Sequence, residues 1–346
     1  MTWLLLAHFK PTRKFERGMW IKKWRVEGLK PINLVVRVVG FASLLYGPLL
    51  VAQAPGVSGS QSTAVQPALA NAKRLIDAEE FKQASAALVD IVAAQPKSAA
   101  AHEMLAYSYL RLNEPRRSLE EYTRAAAIEQ PSATDLQNVA KDYGLLGDMS
   151  DAEHWSLSAV KMNDKDPEGW YVLGRIRFTL QRFQEAADCF KRSLVLMPRS
   201  VKAENNLGLS YEGLNQTYDA VIAYRQAIAW QQNDPHPSEE PFLNLGIILV
   251  NEEQLAEAQK LLQQAGTIAP QDERVHEQLG HLYLKQGMFQ KAEEELQAAI
   301  ALNPRKPALH FLLGRVYRQQ HLEAKAQAEF ALSSSLSSDR ATSEKF

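Results

Sequence analysis

A unit of about 34 residues recurs eight times between Ala64 and Ser338, and no other feature constrains the chain as tightly. Its clearest form is Trp170, Leu173-Gly174, Phe183, Ala186, Phe190 and Pro198. The spacing returns as Phe242, Leu245-Gly246, Leu255, Ala258, Leu262 and Pro270, and again as His276, Leu279-Gly280, Phe289, Ala292, Leu296 and Pro304. A period of that length predicts stacked helix pairs, in which each unit touches only its neighbours, rather than a globular enzyme.

Within each unit the apolar residues fall at helical spacing, so a helix A and a helix B are expected, joined by a short turn. Prolines 96, 131, 198, 270 and 304 close most units, because proline cannot continue a helix and restricts the residue before it. Ala106, Ala140, Gly174, Gly208, Gly246, Gly280 and Gly314 share one position of helix A. Ala84, Ser118, Ala152, Ala186, Ala220, Ala258, Ala292 and Ala326 share one position of helix B. A mid-helix glycine costs ~1 kcal/mol, so five at one phase imply a compensating close approach of the two helices. The fifth unit ends in Gln231-Gln232 in place of a proline. The residues from Asn233 to Glu240, with Pro235 and Pro237, are expected to form an exposed loop.

The pattern resembles the tetratricopeptide repeat, a helix–turn–helix unit of about 34 residues. The resemblance implies an all-α fold: a right-handed α-solenoid of about eight helix–turn–helix repeats over residues 65–338. It also implies that helix A residues line a concave groove for a protein or peptide. Mapping the phase places Tyr107, Arg111, Asn138, Lys141, Tyr171, Arg175, Asn205, Asn206, Asn244, His281, Lys285, Arg315 and Arg318 on that face. Asn138, Asn206 and Asn244 share one phase, where they either clamp a peptide backbone or only cap and solvate the groove. The Lys/Asn/Asn/Lys/Arg clamp of chaperone-binding members is not reproduced by Lys141, Arg175, Asn205 and Asn206. The cations at Arg175, Arg315 and Arg318 favour an acidic or mixed peptide.

The flanks read differently. Residues 1–31 are basic, with either Met1 or Met19 as the start, and residues 32–54 are the one long apolar run. That run is either a cleaved export signal, ending at Ala52-Gln53-Ala54, or an uncleaved membrane anchor. Both readings export the repeats to the periplasm or cell envelope. Residues 55–64 read as a flexible linker and 339–346 as a polar tail, while the final helix is expected to turn Gln327, Glu329 and its serines outward as a cap.

Nine of the 39 basic residues lie in the first 54, against Glu16 and Glu27, so the remainder holds 30 basic and 38 acidic side chains. An acidic body of that kind does not grip phosphate backbones, and nucleic acid is not an expected partner. His276-Glu277 and His281 imitate a zinc-protease helix, but histidines five apart lie about 140° apart around a helix. No nucleotide-binding loop, nucleophile elbow or paired cysteine motif occurs, and Cys189 reads as a buried structural thiol. The chain therefore reads as non-catalytic, without cofactor or metal. It is expected to be an interaction scaffold or adaptor, or alternatively a structural or regulatory subunit that packs through its convex face or its termini.

Overall fold

A computed structural model describes residues 61–343, all sixteen of whose regular elements are α-helices. The basic segment, the apolar run 32–54 and the last three residues of the chain lie outside the described residues. Among the described residues no helix is long and apolar enough to cross a membrane. The chain forms two compact units that divide between Leu180 and Gln181.

The first unit holds α1 (Gln61–Asp77), α2 (Phe81–Ala94), α3 (Ala99–Arg111), α4 (Pro115–Ala126), α5 (Ala133–Leu146), α6 (Met149–Met162) and α7 (Pro167–Thr179). The second holds α8 (Phe183–Leu196), α9 (Val201–Gly213), α10 (Thr217–Trp230), α11 (Glu240–Asn251) and α12 (Leu255–Ile268). It continues through α13 (Glu273–Lys285), α14 (Phe289–Leu302), α15 (Pro307–Gln319) and α16 (Glu323–Ser343). Odd-numbered helices are the A helices and even-numbered ones the B helices. Within each unit an A helix packs on its following B helix and on the next A helix, as α3 does on α4 and α5. Helix α1 begins at Gln61, inside the segment read as linker, and α16 extends to Ser343, into the segment read as tail.

The turn from A to B is the same device each time. Glu79, Asn113, Gly147, Gln181, Asn215, Glu253, Gly287 and His321 all take positive φ. In the seven turns that lie within a unit the next amide then donates back across the helix end, as Glu80 N does to Leu75 O at 2.8 Å and Met288 N to Tyr283 O at 2.9 Å. These bonds satisfy carbonyls that a helix terminus leaves open. Only Gly147 and Gly287 take the left-handed geometry without a steric cost; the other six positions hold side chains there.

The small residues do their expected work, with one difference. The helix B positions Ala84, Ser118, Ala152, Ala186, Ala220, Ala258, Ala292 and Ala326 are all essentially inaccessible. The helix A glycines, however, do not face bare backbone, as the sequence suggested. Gly208, Gly246, Gly280 and Gly314 each make room for the large residue four places after the small one on helix B. A Cβ on Gly208 would lie 2.6 Å from the Tyr224 ring, and one on Gly280 would lie 2.6 Å from Leu296 Cγ. Gly246 accommodates Leu262, and Gly314 accommodates the Phe330 ring. The compensation for glycine in the helix is thus a buried side chain inserted over it, which removes apolar area from water.

The insertion in the second unit is exposed from Gln232 to His236, while residues 237–239 are half-buried and Glu240 opens α11, so the expected exposed loop is shorter than 233–240. Gln231 explains how a unit closes without proline. Its side chain is buried, and it donates to Ser238 O at 2.9 Å while accepting from Ser238 N at 2.8 Å. The expected polar cap is only partly realised. Glu329 turns inward to the His310 ring, and Ser333 donates to Pro307 O at 2.8 Å, so these two satisfy buried acceptors or donors rather than water. Gln327, Ser334, Ser335, Ser337 and Ser338 do face outward as expected, together with Ala324, Ala328 and Ala331.

Candidate functional site

In the first unit the A helices α3, α5 and α7 stack side by side. Their side chains line two adjoining depressions. Tyr107, Arg111, Asn138, Lys141 and Arg175 line one, together with Leu110, Asn113 and Leu145. The second is a narrower apolar slot formed by Ala140, Gly144, Met149, Val172 and Ile176, with Lys141, Glu168, Tyr171 and Arg175 at its edge. Lys141 and Arg175 border both.

Three cations from successive repeats therefore face one surface of a body that carries net negative charge, Lys141 and Arg175 at one phase and Arg111 a turn further along its helix. Each already has some compensation. Lys141 Nζ stands 3.5 Å from Glu168, and Arg111 stands 3.5 Å from Glu79. Arg111 also donates to the Tyr107 hydroxyl at 2.9 Å and lies 4.3 Å over the Phe81 ring. Contacts of that length in exposed positions are weak, on the order of 0–1 kcal/mol, so an arriving carboxylate competes with them readily. Tyr171 and Arg175 have partners of their own within the chain.

The asparagines behave differently from the cations. Asn138 is buried and donates to the Tyr122 hydroxyl at 2.9 Å. Asn206 is buried and donates to Lys202 O at 2.7 Å. In the second unit Asn244 donates to Asn205 at 3.0 Å, and Asn205 donates to Glu240 at 3.2 Å. The Asn205 bonds join the A helices α9 and α11, the Asn138 bond joins α5 to the B helix α4, and the Asn206 bond lies within α9; each spares a buried amide the cost of having no partner. Their shared phase therefore records internal hydrogen bonding at least as much as an open row of ligand donors.

The second unit carries two cations, Lys285 and Arg315, beside a histidine on its A helices. His281 and Lys285 lie one turn apart on α13, and Arg315 occupies the phase of His281 on α15. Burial, followed by the charges of Lys285 and Arg315, holds the His281 imidazole below its ordinary range. Lys285 donates to Val250 O at 2.9 Å, while Arg318 is exposed and lies 5.6 Å from the Phe330 ring centre. His276 faces elsewhere, toward Glu295 and Pro270, so the two histidines of the zinc-like motif do not share a face. Cys189 is buried.

Sequence reasoning missed a contact that recurs in three repeats, between a histidine at the start of helix A and a glutamate nineteen residues later. The signal was present as His102/Glu121, His276/Glu295 and His310/Glu329.

The comparisons with known proteins agree with the repeat fold. Tetratricopeptide-repeat family profiles match residues 69–134, 167–200, 202–234 and 249–316, together more than half of the chain. A human protein named Protein O-mannosyl-transferase TMTC3 is 27% identical over 140 residues, covering 37% of this chain and 15% of that protein. Its mouse counterpart is 26% identical over the same length. The chain thus spans only a small part of the curated relatives it matches.

Among solved structures, the APC/C hetero-tetramer Cut9-Hcn1 aligns with a TM-score of 0.59 at 16% identity, covering 73% of this chain and 52% of that one. A tetratricopeptide repeat protein from Parabacteroides merdae aligns at 0.58 and 17% identity, covering 73% and 99%. Yeast Tom70 aligns at 0.57 and 17% identity, covering 82% and 63%. Identities this low support the fold alone. With the period, the paired helices, the glycine-centred packing and the profile matches in agreement, the chain belongs to the tetratricopeptide-repeat family.

Proposed function

We propose that this protein is a non-catalytic interaction scaffold that takes an acidic peptide segment of a partner protein on the A-helix face of its first unit. The observation that carries the reading is the convergence of Arg111, Lys141 and Arg175 on one pair of depressions beside an apolar slot. Carboxylates of the ligand pair with the three cations, and an aliphatic side chain enters between Ala140, Gly144, Val172 and Ile176. The three cations on this patch favour an acidic partner there and disfavour a basic one. The basic and apolar N-terminal segments support export, with the repeats presented on the envelope side of the membrane.

The test is a titration of a labelled Glu/Leu peptide into the full chain, read by fluorescence anisotropy. A triple charge reversal, Arg111→Glu with Lys141→Glu and Arg175→Glu, is expected to weaken binding by about 10-fold or more, with the wild-type affinity falling as salt is raised. Equal affinity of the reversed variant, or preference for a Lys/Leu peptide, would overturn the reading.

A further inference from the structure

Three histidines occupy the helix A position that Trp170 fills in its own repeat, and each makes the same two contacts. His102 places Nδ1 2.6 Å from Glu121 Oε2 and Nε2 3.2 Å from Pro96 O. His276 places Nδ1 2.7 Å from Glu295 Oε2 and Nε2 3.1 Å from Pro270 O. His310 places Nδ1 2.8 Å from Glu329 Oε2 and Nε2 2.9 Å from Pro304 O. The carbonyl belongs to the proline that closes the preceding repeat, and the carboxylate belongs to helix B of the histidine's own repeat. One ring thus ties together a closing turn, an A helix and a B helix. Trp170 makes the first half of this contact with no titrating group, donating Nε1 to Asp164 O at 2.8 Å.

A backbone carbonyl only accepts, and an ionised carboxylate only accepts. A ring that bonds to both must donate from both nitrogens, which a neutral imidazole cannot do. We propose that the His276 clasp is a proton-operated lock, in which the second ring proton bonds the closing turn and α13 to α14, and whose loss releases Glu295 and loosens the stacking of that repeat. This goes beyond the peptide-binding reading and does not depend on it.

The charged groups around His276 fit the proposal. Glu295 comes from α14, and Asp272 sits at the α13 N-cap, itself held by Arg274 at 2.5 Å. Burial pushes the His276 imidazole down. The bonds to Glu295 and Pro270 and the charges of Glu295 and Asp272 push it up, and the net direction is above the ordinary histidine range. A raised folded value contributes stability that is fully present below the unfolded pKa of about 6.5, and that is lost as pH rises through the folded value. The lock therefore closes toward acid pH and opens toward alkaline pH.

The test is ¹⁵N-histidine spectroscopy of the full chain together with its melting temperature from pH 6 to pH 9, for wild type and Glu295→Gln. A glutamine at 295 keeps the shape and can donate to a deprotonated Nδ1, so it removes the need for the second proton. The His276 signal, assigned by its loss in His276→Gln, is expected to show both ring nitrogens protonated at pH 7. Wild type is expected to lose about 2–4 °C across the range, and Glu295→Gln to flatten that loss. A neutral His276 ring at pH 7, or a titration unchanged by Glu295→Gln, would overturn the proposal. The ring spectrum of wild type decides the matter even if a variant folds poorly.

Discussion

Gly208→Ala is expected to destabilise the second unit by about 1–3 kcal/mol, although alanine is the better helix former. Propensity alone favours the alanine variant by ~1 kcal/mol. Packing decides otherwise. The added Cβ would lie 2.6 Å from Tyr224 Cε1 and 2.9 Å from Cζ, and the ring has no freedom to move away. Tyr224 is fully buried, and its hydroxyl donates to Glu212, so displacing the ring also breaks a buried hydrogen bond. Gly266 supplies the control within the same unit. A Cβ there meets Val275 at 3.4 Å and Leu279 at 3.7 Å, which is ordinary contact, so Gly266→Ala should gain up to ~1 kcal/mol. Thermal melts of the two variants check this directly. A Gly208→Ala protein that melts at or above wild type would show that the glycine phase has no packing cause.

Asp142→Asn is expected to stabilise the first unit at neutral and alkaline pH, by an amount that vanishes near pH 4. Asp142 is fully buried and accepts a hydrogen bond of 2.6 Å from Ser118 at Oδ2, while Oδ1 has no partner in the structure. Burial raises its carboxyl from 3.8 to about 8, against the smaller opposing effects of the Ser118 bond and the Lys141 charge. Because the folded value is raised, the contribution is fully present below the unfolded value. It is lost progressively as pH climbs from about 4 toward 8. At 1.36 kcal/mol per pKa unit the loss is about 6 kcal/mol at most, an upper bound because relaxation and water entry reduce it. Asparagine keeps the acceptor for Ser118 and carries no charge, so it removes the loss. Denaturant melts of wild type and Asp142→Asn at pH 4, 6 and 8 measure it. Parallel pH profiles would contradict the assignment of a buried neutral acid.

Much of the fold was legible because its constraints repeat. Ala292 and Gly280 each announced a packing position through seven or eight equivalents, and the closing prolines set the period. What enters the glycine gap was not legible, since it depends on the rotation of helix B: Tyr224, Leu262, Leu296 and Phe330 lie four residues beyond the small position, a turn away from it. The left-handed turns were hidden for another reason. Glu79, Gln181, Glu253 and His321 carry none of the glycine signal that marks such geometry.

The site followed the same division. The cations Arg111, Lys141 and Arg175 converge as their phase predicts, because long side chains on neighbouring A helices reach a common surface. Asn138, Asn205 and Asn206 turn inward, because short amides close to the backbone bond first to nearby groups, Asn138 and Asn205 on adjacent helices and Asn206 on the carbonyl one turn back in its own. The histidine clasps needed the carbonyl six residues upstream as well as the glutamate nineteen downstream. A pattern of three points is hard to see in one sequence.

The central claim is that the A-helix face of the first unit receives the partner. Site-specific photo-crosslinking in the native cell tests it most directly, with a benzophenone side chain placed in turn at Tyr171, at the edge of the slot, and at Val89, which is exposed on the B helix α2. The account predicts a discrete crosslinked partner from position 171, lost on charge reversal of Arg111, Lys141 and Arg175, and none from position 89. A partner captured from position 89 but not from 171 would contradict it and would assign binding to the opposite face.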